Sequence, residues 1–130
     1  MAGIKDEETR KQVEEGGVRA RRRTAILNEI ERRSSEPDLT AIAVATLLGI
    51  TPRYVHLLLE ETGHSFTYHL AARRLERAAA LLRDPNWRAR KIADIAAEAG
   101  FTDLSYFNRA FRRHYGATPS DIRAAVEDGD

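Results

Sequence analysis

An all-α fold of about seven helices is what this sequence predicts, arranged as two helix-turn-helix subdomains joined by a long linker helix. Three observations carry it: a pattern written twice, start and stop signals that bound helix-length segments, and no segment that alternates as a strand should. The first copy of the pattern is Val44, Ala45, Thr46, Leu47, Leu48, Gly49, Ile50, Thr51. The second is Ile95, Ala96, Ala97, Glu98, Ala99, Gly100, Phe101, Thr102. In each, a small Ala stands four positions before a Gly, with apolar residues around both. The Ala lets two helices cross closely, and the Gly supplies a left-handed turn between them. A helix-like segment follows each turn glycine: Tyr54, Val55, His56, Leu57, Leu58, Leu59, and then Tyr106, Phe107, Asn108, Arg109, Ala110, Phe111.

The elements follow in order. Residues 1–17 are polar, end in Gly16 and Gly17 and show no clean apolar face, so a mobile tail or linker is expected there. A helix over about 18–33 would bury Ala25, Ile26, Ile30 and Val18. Ser34, Ser35, Glu36, Pro37 and Asp38 break it, since Pro cannot continue a helix. Thr40 suits the N-cap of a helix to about 48. After Gly49, Thr51 can cap a helix with Pro52 at its first position, ending near Thr62 and Gly63. A long amphipathic helix over about 65–83 follows, with Leu70, Leu75, Ala78, Ala79 and Leu82 as its core stripe and Arg73, Arg74 and Arg77 on wetter faces. Asp84, Pro85 and Asn86 end it. The second copy repeats the plan with helices over about 90–99 and 103–114, closed by Tyr115 and Gly116. A terminal helix over 119–126 would be capped by Thr118 or Ser120. The expected organisation is therefore a first lobe over 18–63, the linker helix 65–83, a second lobe over 88–126 and a short tail over 127–130.

At 130 residues the chain can bury the core of one compact domain. Zero Cys excludes disulfides and thiolate metal sites. No apolar run approaches the ~18 residues of a membrane span, and the acidic start is unlike a signal peptide. A cytoplasmic protein without a membrane partner is expected. Net charge is only +1, but its distribution is uneven. Residues 1–17 hold five acids against three bases, whereas 88–116 hold six bases against three acids. Eighteen of the 21 basic residues are Arg, the side chain suited to forked contacts with phosphate and guanine. A GC-rich genome would enrich Arg equally well.

In each unit the helix after the Gly would be the recognition helix, its outward residues entering the major groove of DNA. In the second unit, Tyr106, Asn108, Arg109, Arg112 and Arg113 surround the apolar pair Phe107 and Phe111. Arg109 can fork onto guanine, and Asn108 can pair with adenine or a phosphate. Arg112 and Arg113 suit phosphates better. The bland alternative is a solvated basic face on an ordinary helix. The first unit offers Arg53, Tyr54 and His56, but Leu57 stands where the second has Arg109, and Glu60 and Glu61 stand where it has Arg112 and Arg113. Leu57 either touches a thymine methyl or belongs to the core. If the linker helix holds the two recognition helices about 34 Å apart, one chain can enter successive grooves of an asymmetric site as a monomer. Arg19, Arg21, Arg22 and Arg23 either add phosphate contacts or form a solvated face.

The run Lys91, Ile92, Ala93, Asp94, Ile95, Ala96, then Ala99, Gly100, Phe101, Thr102, Asp103, then Ser105 through Arg113, ending Tyr115, Gly116, Ala117, Thr118, Pro119, Ser120, closely resembles the signature of the AraC/XylS family of bacterial transcription regulators. Arg74, Leu75, Glu76, Arg77, Ala78 is similar to the family's linker helix, and Thr51, Pro52, Arg53, Tyr54, Val55 to its first recognition helix. The resemblance covers about 18–126. It implies sequence-specific binding of double-stranded promoter DNA, commonly with activation through RNA polymerase. It carries base contact onto Asn108 and Arg109, and onto Arg53 and His56 in the first unit; Leu57 and Ser105 are further base-contact candidates, and Thr51, Tyr54, Tyr106, Arg112 and Arg113 are the phosphate-contact candidates. Gly49 and Gly100 are the turn residues. Leu57 departs from the Arg often found in the family. Most members carry a further effector or dimerisation domain, which residues 1–17 cannot form. The chain reads as a stand-alone regulator or as the DNA-binding piece of a longer protein that could dimerise.

Two rival classes remain. No Gly-rich phosphate loop, nucleophile elbow or paired carboxylate motif supports an enzyme. His56, His64, His69 and His114 lack metal-ligand spacing, so neither a metal nor a cofactor is expected. The second rival is a helical protein-interaction module, or a regulator that has lost DNA binding. Steep loss of binding with salt separates DNA recognition from an apolar interface.

Overall fold

The computed structural model describes residues 2–128. They form α1 (Ala2–Arg33), α2 (Ala41–Leu48), α3 (Pro52–Glu60), α4 (Phe66–Arg83), α5 (Ile92–Glu98), α6 (Leu104–Tyr115) and α7 (Pro119–Asp128), with a short 3-10 turn at Pro85–Trp87. No strand occurs among the described residues. The helices start on side-chain caps. Thr40, Thr51, Ser65 and Asp103 each accept a hydrogen bond from the backbone N–H three residues on, at 3.0–3.2 Å. At α7 the bonding is reciprocal: Thr118 Oγ1 accepts from Asp121 N at 3.1 Å, and Asp121 Oδ2 accepts from Thr118 N at 3.2 Å. Hydrogen bonding to the carboxylate from the Thr118 side chain, and then from its backbone N–H, holds the Asp121 carboxyl below its usual range.

The apolar side chains gather into two cores. Ile26, Ile30, Val44, Val55, Leu58, Leu59, Phe66 and Leu70 fill the first. Leu75, Ala78, Leu82, Ile95, Phe101, Phe107 and Phe111 fill the second. α4 belongs to both: its first turns close the first lobe, and everything from Leu75 onward lies in the second. The linker helix is thus a structural member of each lobe. No helix of α1–α3 packs broadly on a helix of α5–α7; both groups pack on α4.

Three expectations need correction. The first helix does not begin at 18 but runs unbroken from Ala2, through Gly16 and Gly17. Neither glycine has a positive φ, and each weakens a helix by only about 0.5–1 kcal/mol relative to Ala without stopping it. Asp6 and Arg10, Glu7 and Lys11, and Glu15 and Arg19 also stand in the acid-first i,i+4 spacing that supports helix. The fifth helix begins at Ile92 rather than 90, because Lys91 is extended and makes no side-chain cap. The last helix continues to Asp128, past the tail expected from 127; Gly129 and Asp130 lie outside the described residues, as does Met1.

Candidate nucleic-acid interface

The first turn is a left-handed Gly49, φ +68°, which bends the chain through 104° between α2 and α3. That angle is in the range of a helix-turn-helix. The Ile50 N–H closes it by donating to Ala45 O at 3.0 Å. In the second unit the Phe101 N–H donates to Ala96 O at 2.9 Å across Gly100, φ +108°. The two loops are not the same length. Thr51 caps α3 two residues after Gly49, whereas Asp103 caps α6 three residues after Gly100. Counted from the caps, α3 and α6 align: Val55 and Leu59 are fully buried where Phe107 and Phe111 are. Arg53 then matches Ser105, His56 matches Asn108, Leu57 matches Arg109, and Glu60 and Glu61 match Arg112 and Arg113.

On α6 the outward residues Ser105, Asn108, Arg109, Arg112 and Arg113 are all exposed around the two buried phenylalanines. Among the described residues, no ion pair holds Arg109, Arg112 or Arg113. The basic side chains of the last turn also favour the negative end of the helix dipole, a contribution of about 0.3–1 kcal/mol each that requires no DNA. Tyr106 is exposed at the start of α6 and shares an open cleft with Arg113, His114 and the first turn of α4.

On α3, Arg53 and His56 are exposed. Leu57 is 44% exposed while Leu58 and Leu59 are completely buried, so Leu57 faces outward and is not core. Thr51 is exposed, its oxygen engaged as the cap acceptor. Tyr54 is half-buried, with the Arg22 guanidinium 5.5 Å from its ring centre. Glu61 pairs with both Arg19 and Arg23, the latter at 2.6 Å. Part of the α1 arginine cluster therefore braces α3 against α1, an arrangement that neither sequence alternative anticipated. It also neutralises one of the two acids at the end of α3.

The sequence also placed Arg74 on a wet face, and the structure corrects this. Arg74 is partly buried, its Nε donating to Ser34 O at 2.8 Å and its Nη2 to Glu36 O at 2.8 Å and Pro37 O at 3.3 Å. Burial pulls its pKa below the usual arginine value, while nearby Tyr106 acts the other way. The signal was present: Leu70, Arg74 and Ala78 recur every four residues, which puts Arg74 on the stripe that meets the core. The histidines at the α3–α4 junction have structural partners. His64 stacks on Tyr68 at 3.8 Å, and His69 Nε2 lies 2.7 Å from Thr62 Oγ1. Burial first, then the charges of His64 and Arg73, push the His69 pKa down.

A helix-turn-helix domain model matches residues 44–125, which span both units. The chain belongs to the AraC/XylS family. It is 36% identical to the transcriptional activator RhrA of Rhizobium meliloti over 78% of this chain and 32% of that protein. The C-terminal domain of AraT, a response regulator from Geobacillus stearothermophilus, superposes with a TM-score of 0.70 at 31% identity, covering 79% of this chain and 84% of that one. A DNA-binding transcriptional dual regulator from Escherichia coli K-12 gives 0.72 at 25% identity over 82% and 92%. The chain spans about a third of the length of curated relatives such as RhrA. The family is one of DNA-binding transcriptional regulators, not enzymes.

Proposed function

We propose that this AraC-type domain binds promoter DNA through both units, with α3 and α6 in successive major grooves, and activates transcription through contact with RNA polymerase in the bacterial cytoplasm. The observation that carries this reading is the outer face of α6, where Asn108 and Arg109 stand between two buried phenylalanines with Arg112 and Arg113 one turn further on. An Arg at that position can fork onto guanine, and the two beyond it are placed for phosphates. The first unit contributes less sequence information: Leu57 offers only an apolar contact, with Arg53 and His56 as its polar readers. Activation is supported by the likeness to RhrA, itself described as a transcriptional activator.

Competitive titration of a selected duplex and a scrambled one tests base reading. Arg109→Ala is expected to weaken specific binding by ~1–3 kcal/mol while leaving scrambled DNA nearly unaffected. Arg112→Ala should weaken both about equally. Equal losses for Arg109→Ala on the two duplexes would reduce Arg109 to a phosphate contact.

A further inference from the structure

Each lobe has its own core, and α4 is the broad connection between them. Two bodies joined by a single helix can swing as that helix bends, and recognition helices that swing cannot hold a fixed phase on the duplex. The structure contains a second point of attachment. From α4, Arg74 reaches the segment between α1 and α2 and bonds three of its carbonyls, those of Ser34, Glu36 and Pro37. Ser34 is a buried polar residue in the first lobe, its Oγ donating to Glu31 O at 3.2 Å. On the other side lies the turn glycine of the second lobe. A Cβ on Gly100 would sit 2.6 Å from Ser34 O, 2.8 Å from Arg74 Nε and 3.2 Å from Ser35 Cα. The backbones of the two lobes meet here, in a contact that only glycine permits.

We propose that Arg74 is a positioning residue for DNA recognition: with the bare face of Gly100, it clamps the α1–α2 segment to the turn of the second unit and so sets the spacing and phase of α3 and α6. The guanidinium is suited to this because Nε and Nη2 of one rigid fork reach different carbonyls at once, which the single ammonium of Lys cannot reproduce. Arg74 itself does not need to touch DNA. The inference rests on both units binding one duplex, where holding two binding elements at the right separation raises affinity by making the second contact intramolecular.

Two measurements test it. The chain has no cysteine, so spin labels can be placed on α3 and α6 through Glu60→Cys and Asn108→Cys in the free protein. The distance distribution is expected to be narrow with Arg74 present and to broaden with Arg74→Lys or Arg74→Ala. An unchanged distribution would overturn the clamp. The second uses duplexes carrying both half-sites with the spacer lengthened or shortened by one to three base pairs, and the second half-site alone. Both variants should lose about tenfold on the full site, flatten the spacer dependence and keep affinity for the isolated half-site. A spacer profile as sharp as the parent's, or an equal loss on full and half sites, would overturn the positioning role. If the parent protein itself ignores the first half-site, the two-groove reading fails and the role in recognition with it. The label distances still report separately whether Arg74 holds the lobes.

Discussion

Gly49 and Gly100 both adopt left-handed backbone, but a Cβ at Gly49 would meet nothing within 4 Å, whereas one at Gly100 would collide with Ser34 O. The first glycine answers only to dihedral preference; the second also answers to a neighbouring backbone. Asn tolerates the left-handed region and often replaces Gly at a helix C-terminus. Gly49→Asn is therefore expected to cost less than about 1 kcal/mol in urea unfolding. Gly100→Ala combines strain of ~1–3 kcal/mol with the clash, and should lose more than 3 kcal/mol or fail to fold. Similar small losses at both positions would show that the Ser34 segment yields readily. The same local asymmetry separates Leu57 from Arg109, which share a helix position and an outward direction but not a chemistry.

At the scale of the element, α1 shows how little a pair of glycines decides. Its second half is anchored by Ile26 and Ile30 in the first core and by the pairing of Arg19 and Arg23 with Glu61. Residues 6–16 are exposed, with Val13 at 69%, so helix there rests on propensity and acid-first charge spacing rather than on burial within this chain. Nothing crowds Gly16, so Gly16→Ala should strengthen this half by about 0.5–1 kcal/mol. Amide hydrogen exchange over residues 6–20 would report the gain as slower opening. Unchanged or faster exchange would mean that this segment is not helical in solution. The linker helix presents the opposite case, with a stripe from Phe66 to Leu82 that enters two cores in turn.

For the molecule as a whole, the net charge of +1 conceals a polarity: acids predominate before residue 18 and bases across the second unit. The side that faces DNA by this reading is consequently more basic at α6 than at α3. With both readers on one chain, this domain is expected to bind a single asymmetric site as a monomer. Sedimentation of the protein with a minimal duplex should give one chain per duplex, and two chains per minimal site would count against the two-unit arrangement. Binding to that duplex should also fall steeply as salt rises, since contacts to phosphate release counterions.

Much of this architecture was legible because its signals are local. Thr40, Thr51, Asp103 and Thr118 cap helices through bonds that span three residues, and Gly49 and Gly100 turn the chain by their own backbone freedom. Such chemistry is written within a few residues of where it acts. The sequence by itself determined the number and order of the helices, the two turns and the family. Whether Leu57 faced core or solvent depended on the rotation of α3 about its own axis, which three consecutive leucines leave open. The start of α1 is hidden in the sequence because a Gly pair such as Gly16 and Gly17 marks a turn more often than it sits within a helix. The fates of Arg74, Arg19 and Arg23 could be settled only by residues some 37 to 42 positions away. Tertiary structure alone decided those contacts, because a carbonyl left open after one helix becomes a partner only when packing brings another helix beside it.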